Sequence, residues 1–482
     1  MRRVVLPPAI ATLLAGPTVL AFFSGGYFDA PRLIAAVAAW ALVLAVALAA
    51  PQPLPASWRG RVALAGLVLI AAWTGLSIVW APLSGPATAA FVRLLLYVAT
   101  FVAAMALLRE PVAARFAEPA LALGVVVVIG YALAGRLLPG IVHLSHSLKA
   151  GDRLEQPLTY WNAEGALAAM GLVLVARLAG APARPRWLRL AAAAAAAPLG
   201  LGVYLSYSRG AIAAAVVGLI ILVAAAPSWA QLRAVVVAAA GSVVAAAVAA
   251  ALPGVASLEG GMGHREAQGA IMLAVLVAVM AAAAAVTARS GRRERSGRLP
   301  ADVARRLPAL AGAAVALALV GLVIGGLGEK GGSERLARSE AASRLTSVES
   351  RRYDYWRIGW HGLSEHPLRG LGAAGFRVLW LRKRPVLERT LDVHSLELEM
   401  AVELGLLGLL GLGLLVGGVA AAGAEALRRG ALVAPGAAAA ASVFLLHASI
   451  DWDWEMPAVA LPALMLAAAL VAASESPADQ AA

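Results

Sequence analysis

The chain has 482 residues, of which 61% are hydrophobic and only 14% charged, with a mean hydropathy of +0.81. A soluble fold sits nearer ~45–50% apolar and ~25% charged, so this composition excludes a water-soluble globule and points to a lipid bilayer. The absence of cysteine excludes a disulfide scaffold, and the net charge of +13 has no meaning for nucleic acid until the cations are located.

A helical span needs ~20 mostly apolar residues. Taken in chain order, about fourteen stretches qualify: 5–23, 31–50, 62–81, 89–108, 118–138, 161–180, 189–207, 210–226, 234–252, 268–288, 308–328, 396–422, 434–450 and 456–473. The first reads as a span, because so many others follow it. Inside lipid the backbone must satisfy itself, and the alternation of a barrel strand is absent, so the spans are helices. The expected fold is all-α: a polytopic integral membrane protein of about 14 transmembrane helices with one large extracytoplasmic loop containing short amphipathic helices. It divides into N-terminal helices at 1–138, central helices at 139–328, the loop at 329–395, and C-terminal helices with a short tail at 396–482.

Loop cations set the orientation. With both termini cytoplasmic, 20 of the 40 Lys and Arg residues fall on the cytoplasmic side, seven in short external segments and 13 in the long segment 329–395. The basic excess is therefore a topology signal, and no nucleic-acid partner is expected. This orientation places four polar pieces outside: the loop 139–160, the turn Ser206-Tyr207-Ser208-Arg209-Gly210, the segment 329–395, and the acidic turn Asp451-Trp452-Asp453-Trp454-Glu455.

These pieces hold the residues that can carry chemistry. Arg209 lies at a membrane boundary, where a cation is costly unless hydrated or paired. It suits an anion, most naturally phosphate gripped by a planar guanidinium, or it simply snorkels. From Arg352 the loop reads as an amphipathic helix, with Trp356, Gly359 and Trp360 at i+4, i+7 and i+8. Its tryptophans read as interfacial anchors. The glycine-rich stretch 370–375 offers backbone N–H groups to a phosphate, or is a turn. His394 opens a span and can move a proton near neutral pH, with Glu397 one turn on to orient the imidazole, or it is a capping histidine. The Asp451, Asp453 and Glu455 trio can hold an arginine or a divalent cation, or with its two tryptophans is a plain interfacial turn. No His-Glu-x-x-His, P-loop, Rossmann glycine pattern or nucleophile elbow occurs, and neither a metal nor a cofactor is expected.

The order of four pieces resembles the O-antigen ligase and O-antigen polymerase family. They are Tyr160-Trp161-Asn162-Ala163, then Ser206-Tyr207-Ser208-Arg209-Gly210-Ala211. Next come Arg352 with Trp356 and Pro367-Leu368-Arg369-Gly370-Leu371-Gly372. Last are His394-Ser395 and Glu403-Leu404-Gly405-Leu406-Leu407-Gly408. Trp161 is bulkier than the family pattern at its position. The resemblance implies a bacterial inner-membrane glycosyltransferase that works outside the membrane without metal or nucleotide. Its donor is a glycan on a polyprenyl (undecaprenyl) diphosphate, and its acceptor is a hydroxyl of a glycan, lipid or protein. Arg209 and Arg352 would hold the diphosphate and His394 would serve the acceptor hydroxyl. Arg351 adjoins Arg352 and shares that assignment, while Glu397, Glu403, Asp451 and Asp453 would support. A ligase is favoured over a polymerase. A lipid-linked glycan flippase is the rival of another class, and a non-catalytic envelope scaffold is a third reading.

Overall fold

The computed structural model describes residues 2–290, 297–327 and 352–475. Helix accounts for 77% of them, and they contain no strand. The helices are α1 (Arg2–Ala21), α2 (Asp29–Ala49), α3 (Trp58–Ser77), α4 (Ser84–Leu107), α5 (Pro111–Leu137), α6 (Trp161–Ala179), α7 (Arg186–Leu205), α8 (Arg209–Ala225) and α9 (Trp229–Ala250). After them come α10 (Pro253–Ala256), α11 (Met262–Ser290), α12 (Ala301–Leu327), α13 (Arg352–Glu365), α14 (Phe376–Lys383), α15 (Leu396–Arg428), α16 (Ala434–Ala448) and α17 (Pro457–Glu475). Every apolar stretch read from the sequence coincides with a helix. Among the described residues, ten helices are long and apolar enough to cross a membrane, and Val5–Ala21, Arg209–Ala225 and Ala434–Ala448 are shorter apolar helices. The protein is thus an all-α, multi-pass membrane protein.

The chain forms two compact units: Met1–Ala117 with Glu349–Ala434 and Leu445–Ala482, and Glu118–Val348 with Pro435–Phe444. In the first unit α3 runs against α15 along a seam of small residues. A Cβ on Gly66 would lie 2.4 Å from the Leu415 nitrogen, and one on Gly418 2.5 Å from the Ala63 nitrogen, so glycine is what lets these backbones approach. Where the apolar contribution is the same in lipid as in the bundle, such close packing supplies the helix–helix attraction.

The second unit is built around α6, which is buried from Asn162 to Ala179. Several of its buried polar side chains bond to one another. Arg184 donates to Glu118 at 2.7 Å, Arg177 to the Gln231 side chain at 3.3 Å, and Gln231 in turn to the Ala176 carbonyl at 3.0 Å. An ion taken from water needs such partners.

Candidate active site

In the first unit the site grows from a break in α15. Gly405 stands at φ 68°, ψ −159°, a conformation open essentially to glycine alone. The break strips the preceding turn of its helical donors, and other segments supply them. Leu371 N donates to Val402 O at 2.9 Å, Gly372 N to Glu403 O at 2.9 Å, and the Trp73 indole to Leu404 O at 3.0 Å. Leu406 N in turn reaches Pro367 O at 2.8 Å. The segment 367–376 is therefore a clasp fastened into a broken membrane helix.

Glu403 closes the clasp. Its carboxylate accepts from Ala374 N at 2.7 Å and Phe376 N at 3.3 Å, at the start of α14. Ala373 N goes to the Ser77 hydroxyl at 3.0 Å, while Gly370 N and Gly375 N bond to the carbonyls of His366 and Gly372. Every N–H from Gly370 to Phe376 is thus bonded within the protein. This corrects the phosphate-cradle reading of 370–375: those donors hold the fold.

A small apolar core fixes the outer elements. Tyr355 and Ile358 of α13, Phe376, Leu379 and Trp380 of α14, and Val393 and Val402 beside and within α15 are all buried together. The amphipathic helix expected from Arg352 is α13, and its Trp356 does more than anchor: its indole donates to the His394 carbonyl at 3.3 Å.

His394 sits just before the Ser395 N-cap of α15, whose hydroxyl accepts from Leu398 N at 3.4 Å. Its φ is +58°, a left-handed conformation uncommon for a non-glycine residue. The Nδ1 atom lies 3.0 Å from the Asp392 carbonyl oxygen. A carbonyl only accepts, so in the neutral ring Nδ1 carries the hydrogen and Nε2 the basic lone pair. Burial pushes the imidazole below the ordinary histidine range; the Asp451 carboxylate opposes that shift and the Arg352 guanidinium reinforces it. A neutral, oriented imidazole is the form a general base requires. The ring of Tyr355 lies 5.1 Å away, centroid to centroid.

Arg352 opens α13 and is ion-paired with the buried Asp451. The remaining acids of that turn are also engaged: Asp453 with His447, and Glu455 with Arg93 of α4. Carboxylate oxygens of Asp392, Glu399 and Glu455 lie within 4.8 Å of one another. Burial, with Glu455 second, pushes the Asp392 carboxyl up to about 8. Among the described residues, this is the group of acids whose oxygens lie close enough to share a hard cation. The Arg93 guanidinium already balances one of them.

The structure therefore brings His394, Arg352 and Asp451 together, with Asp453 in the same turn. Glu397 turns elsewhere, accepting from the Ser449 hydroxyl at 2.7 Å, while the Asp392 carbonyl orients the imidazole. Glu403 braces the clasp. Arg351 lies outside the described residues. Arg93, Glu399 and His447 were not singled out from the sequence, since each reads as an ordinary residue within an apolar span. Arg93 is distinguished by a distant partner, Glu455, 362 positions on, whereas His447 is distinguished by the nearby Asp453.

In the second unit, Arg209 is the first residue of α8 and is exposed. Its turn is held by the buried Ser206, whose hydroxyl donates to Val203 O at 2.7 Å, and by the Ser208 N-cap, which accepts from Ala211 N at 3.2 Å. Tyr207 between them stands at φ 49° and its hydroxyl donates to Ala256 O at 3.1 Å. A cation on the positive end of a helix dipole favours an anion beside it. Trp161 opens α6 with the Arg153 guanidinium 4.2 Å over its ring.

No curated protein matches the chain. A family described as O-antigen ligase matches residues 266–413, a stretch that holds Arg352, His394, the clasp and the break at Gly405. Over that stretch the chain is similar to the O-antigen ligase family.

Proposed function

We propose that this protein is an inverting glycosyltransferase acting on the extracytoplasmic face of a bacterial inner membrane. The donor is a glycan on a polyprenyl diphosphate, and the favoured branch is a ligase. The family supports O-antigen ligase- or polymerase-type transferase activity in general terms. The observation that carries the finer reading is the His394 Nδ1 bond to the Asp392 carbonyl, which leaves Nε2 as the basic atom of a ring that feels the Arg352 charge.

In the proposed reaction the acceptor oxygen attacks the anomeric carbon as Nε2 takes the hydroxyl proton. The bond from that carbon to the diphosphate oxygen breaks, and the electron pair leaves with the polyprenyl diphosphate. Attack opposite the leaving group inverts the configuration. Negative charge gathers on the diphosphate in the transition state, where Arg352 and Arg209 oppose it. Asp451 keeps Arg352 aimed meanwhile. No metal or nucleotide has a step in this scheme.

The test is a transfer assay on the purified protein with a polyprenyl-diphosphate-linked glycan, offering lipid, protein and glycan acceptors separately. Folded His394→Ala and Arg209→Ala variants should each lose transfer by about 10²-fold or more, the usual share of a general base or a charge-stabilising donor. A glycan acceptor as the productive one assigns a polymerase. Transfer that persists in His394→Ala overturns the mechanism, and donor translocation without transfer assigns a flippase.

A further inference from the structure

Three acids from separate segments of the first unit converge. Asp392 stands two residues before His394, Glu399 lies in the first turn of α15, and Glu455 ends the turn ahead of α17. One carboxylate oxygen of each lies within 4.8 Å of the others. Glu399 and Glu455 are only 4% and 6% exposed, while Asp392 is half-buried.

Like charges this close resist ionising together, and burial removes the water that would screen them. The protein answers only part of that cost. Arg93 pairs with one oxygen of Glu455. The other, Oε1, and Oε2 of Glu399 are buried with no hydrogen-bond partner among the described residues. Buried polar atoms left in this way call for a water or an ion. The charges farther out cancel in pairs. Arg377 and Glu403 act on Asp392 with opposite signs, and Arg32, which acts on Arg93, is paired with Asp29. Three carboxylates against Arg93 therefore leave two negative charges.

We propose that Asp392, Glu399 and Glu455 together hold a hard divalent cation, with calcium the best fit. Calcium takes oxygen ligands at about 2.3–2.6 Å, so one ion bridges oxygens up to about 5 Å apart. Magnesium binds closer, keeps several waters, and suits one or two carboxylates rather than three. The half-buried side of Asp392 is where water completes the calcium shell. Such an ion ties the segment ahead of His394 to α15 and to the turn that Arg93 fastens to α4. Asp392 then gives its carbonyl to His394 Nδ1 and its carboxylate to the cation, so the residue that orients the imidazole is fixed at both ends. The cation touches no reacting atom, and its site does not depend on the transferase reading. Protons shared among the carboxylates are the other way to relieve the repulsion, and they leave no affinity for a cation.

The experiment titrates the full chain, purified in a neutral detergent and stripped over a chelating resin, with terbium, a luminescent ion of calcium's size. Trp454 adjoins Glu455 and sensitises terbium bound there. A saturable site is expected. Glu399→Gln keeps the side chain's shape and removes its charge, and should weaken binding by about tenfold or more, since ligand charge sets the affinity of such sites. Asp392→Asn should do the same. It changes a half-buried position and keeps the carbonyl bond to His394, so it serves where Glu399→Gln misfolds. Asp302→Asn, which alters an exposed acid at the start of α12, should match the wild type. Calcium should displace terbium and raise the melting temperature of the wild type, as a ligand of the folded chain does, and at the same concentration should raise that of the two site variants less. No saturable luminescence, binding indifferent to both site variants, or an equal loss in Asp302→Asn overturns the proposal. Displacement by magnesium at a lower concentration than by calcium overturns calcium as the ion. Transfer surviving in His394→Ala sinks the functional reading alone, because the titration needs no transfer.

Discussion

The turns that present Arg209 and His394 are built alike and used differently. Each places a non-glycine residue at positive φ, Tyr207 at 49° and His394 at 58°, directly before a serine that caps a helix. At the first turn the left-handed residue is a buried tyrosine that locks the corner, and the cation follows the cap as the first helical residue. At the second the left-handed residue is itself the proposed general base. Such a backbone costs ~1–3 kcal/mol and persists only where its surroundings over-determine it. Around His394 those surroundings are the Asp392 carbonyl and the Trp356 indole. The same local device thus sets a cation at a helix start in one unit and presents the proposed base in the other.

Replacing each left-handed residue by glycine gives the largest separation between the two. His394→Gly should lower transfer by about 10²–10⁴-fold, the usual share of a general base, with the melting temperature little changed. Tyr207→Gly should destabilise by about 3 kcal/mol through loss of a buried ring, and activity per folded molecule should fall far less. Calorimetry beside the transfer assay distinguishes them, and equal behaviour of the two variants would dissolve the contrast.

An intermediate effect concerns pH. His394 must be neutral to accept a proton, and burial holds its pKa below the ordinary value, so transfer should fall on acidification with a midpoint below about 6.5. Asp451 raises that pKa and Arg352 lowers it. Asp451→Asn should therefore move the acid limb to lower pH, and Arg352→Gln should move it to higher pH, in the residual transfer of each variant. Shifts in the reverse directions would mean that the limb belongs to another group.

The smallest expected effect is shared. Ser208→Ala and Ser395→Ala each remove an N-cap hydroxyl and should each cost about 1 kcal/mol of stability in thermal unfolding. Ser395→Ala should also slow transfer, because the cap adjoins His394. A loss of activity confined to Ser208→Ala would reverse the assignment of scaffold and chemistry.

Much of this was legible in the sequence. Apolar runs mark the helices because lipid leaves a backbone no other option, and the spacing from Arg352 marks α13 because one face of it must be buried. The polar pieces that converge in the first unit could be read because charge is scarce in this chain. The clasp could not. Gly370 to Gly375 suggests a phosphate cradle to a local reading, but the turn before the break at Gly405, some thirty residues on, claims the N–H groups of Leu371, Gly372 and Ala374, and distant Ser77 claims that of Ala373. The pairing of Arg352 with Asp451 and of Arg93 with Glu455 likewise depends on which helices become neighbours, which no local pattern encodes.

The clasp also has a consequence for biogenesis. Its donors and acceptors come from α3, through Trp73 and Ser77, and from α15, through Val402, Glu403 and Leu404. Ala373 and Ser77 are 296 positions apart. A ribosome-bound chain that has inserted α3 holds an indole and a hydroxyl whose partners have not yet been synthesised. The site is therefore assembled late, after α15 has entered the bilayer, and a chain truncated before Gly405 has helices but no place to hold His394.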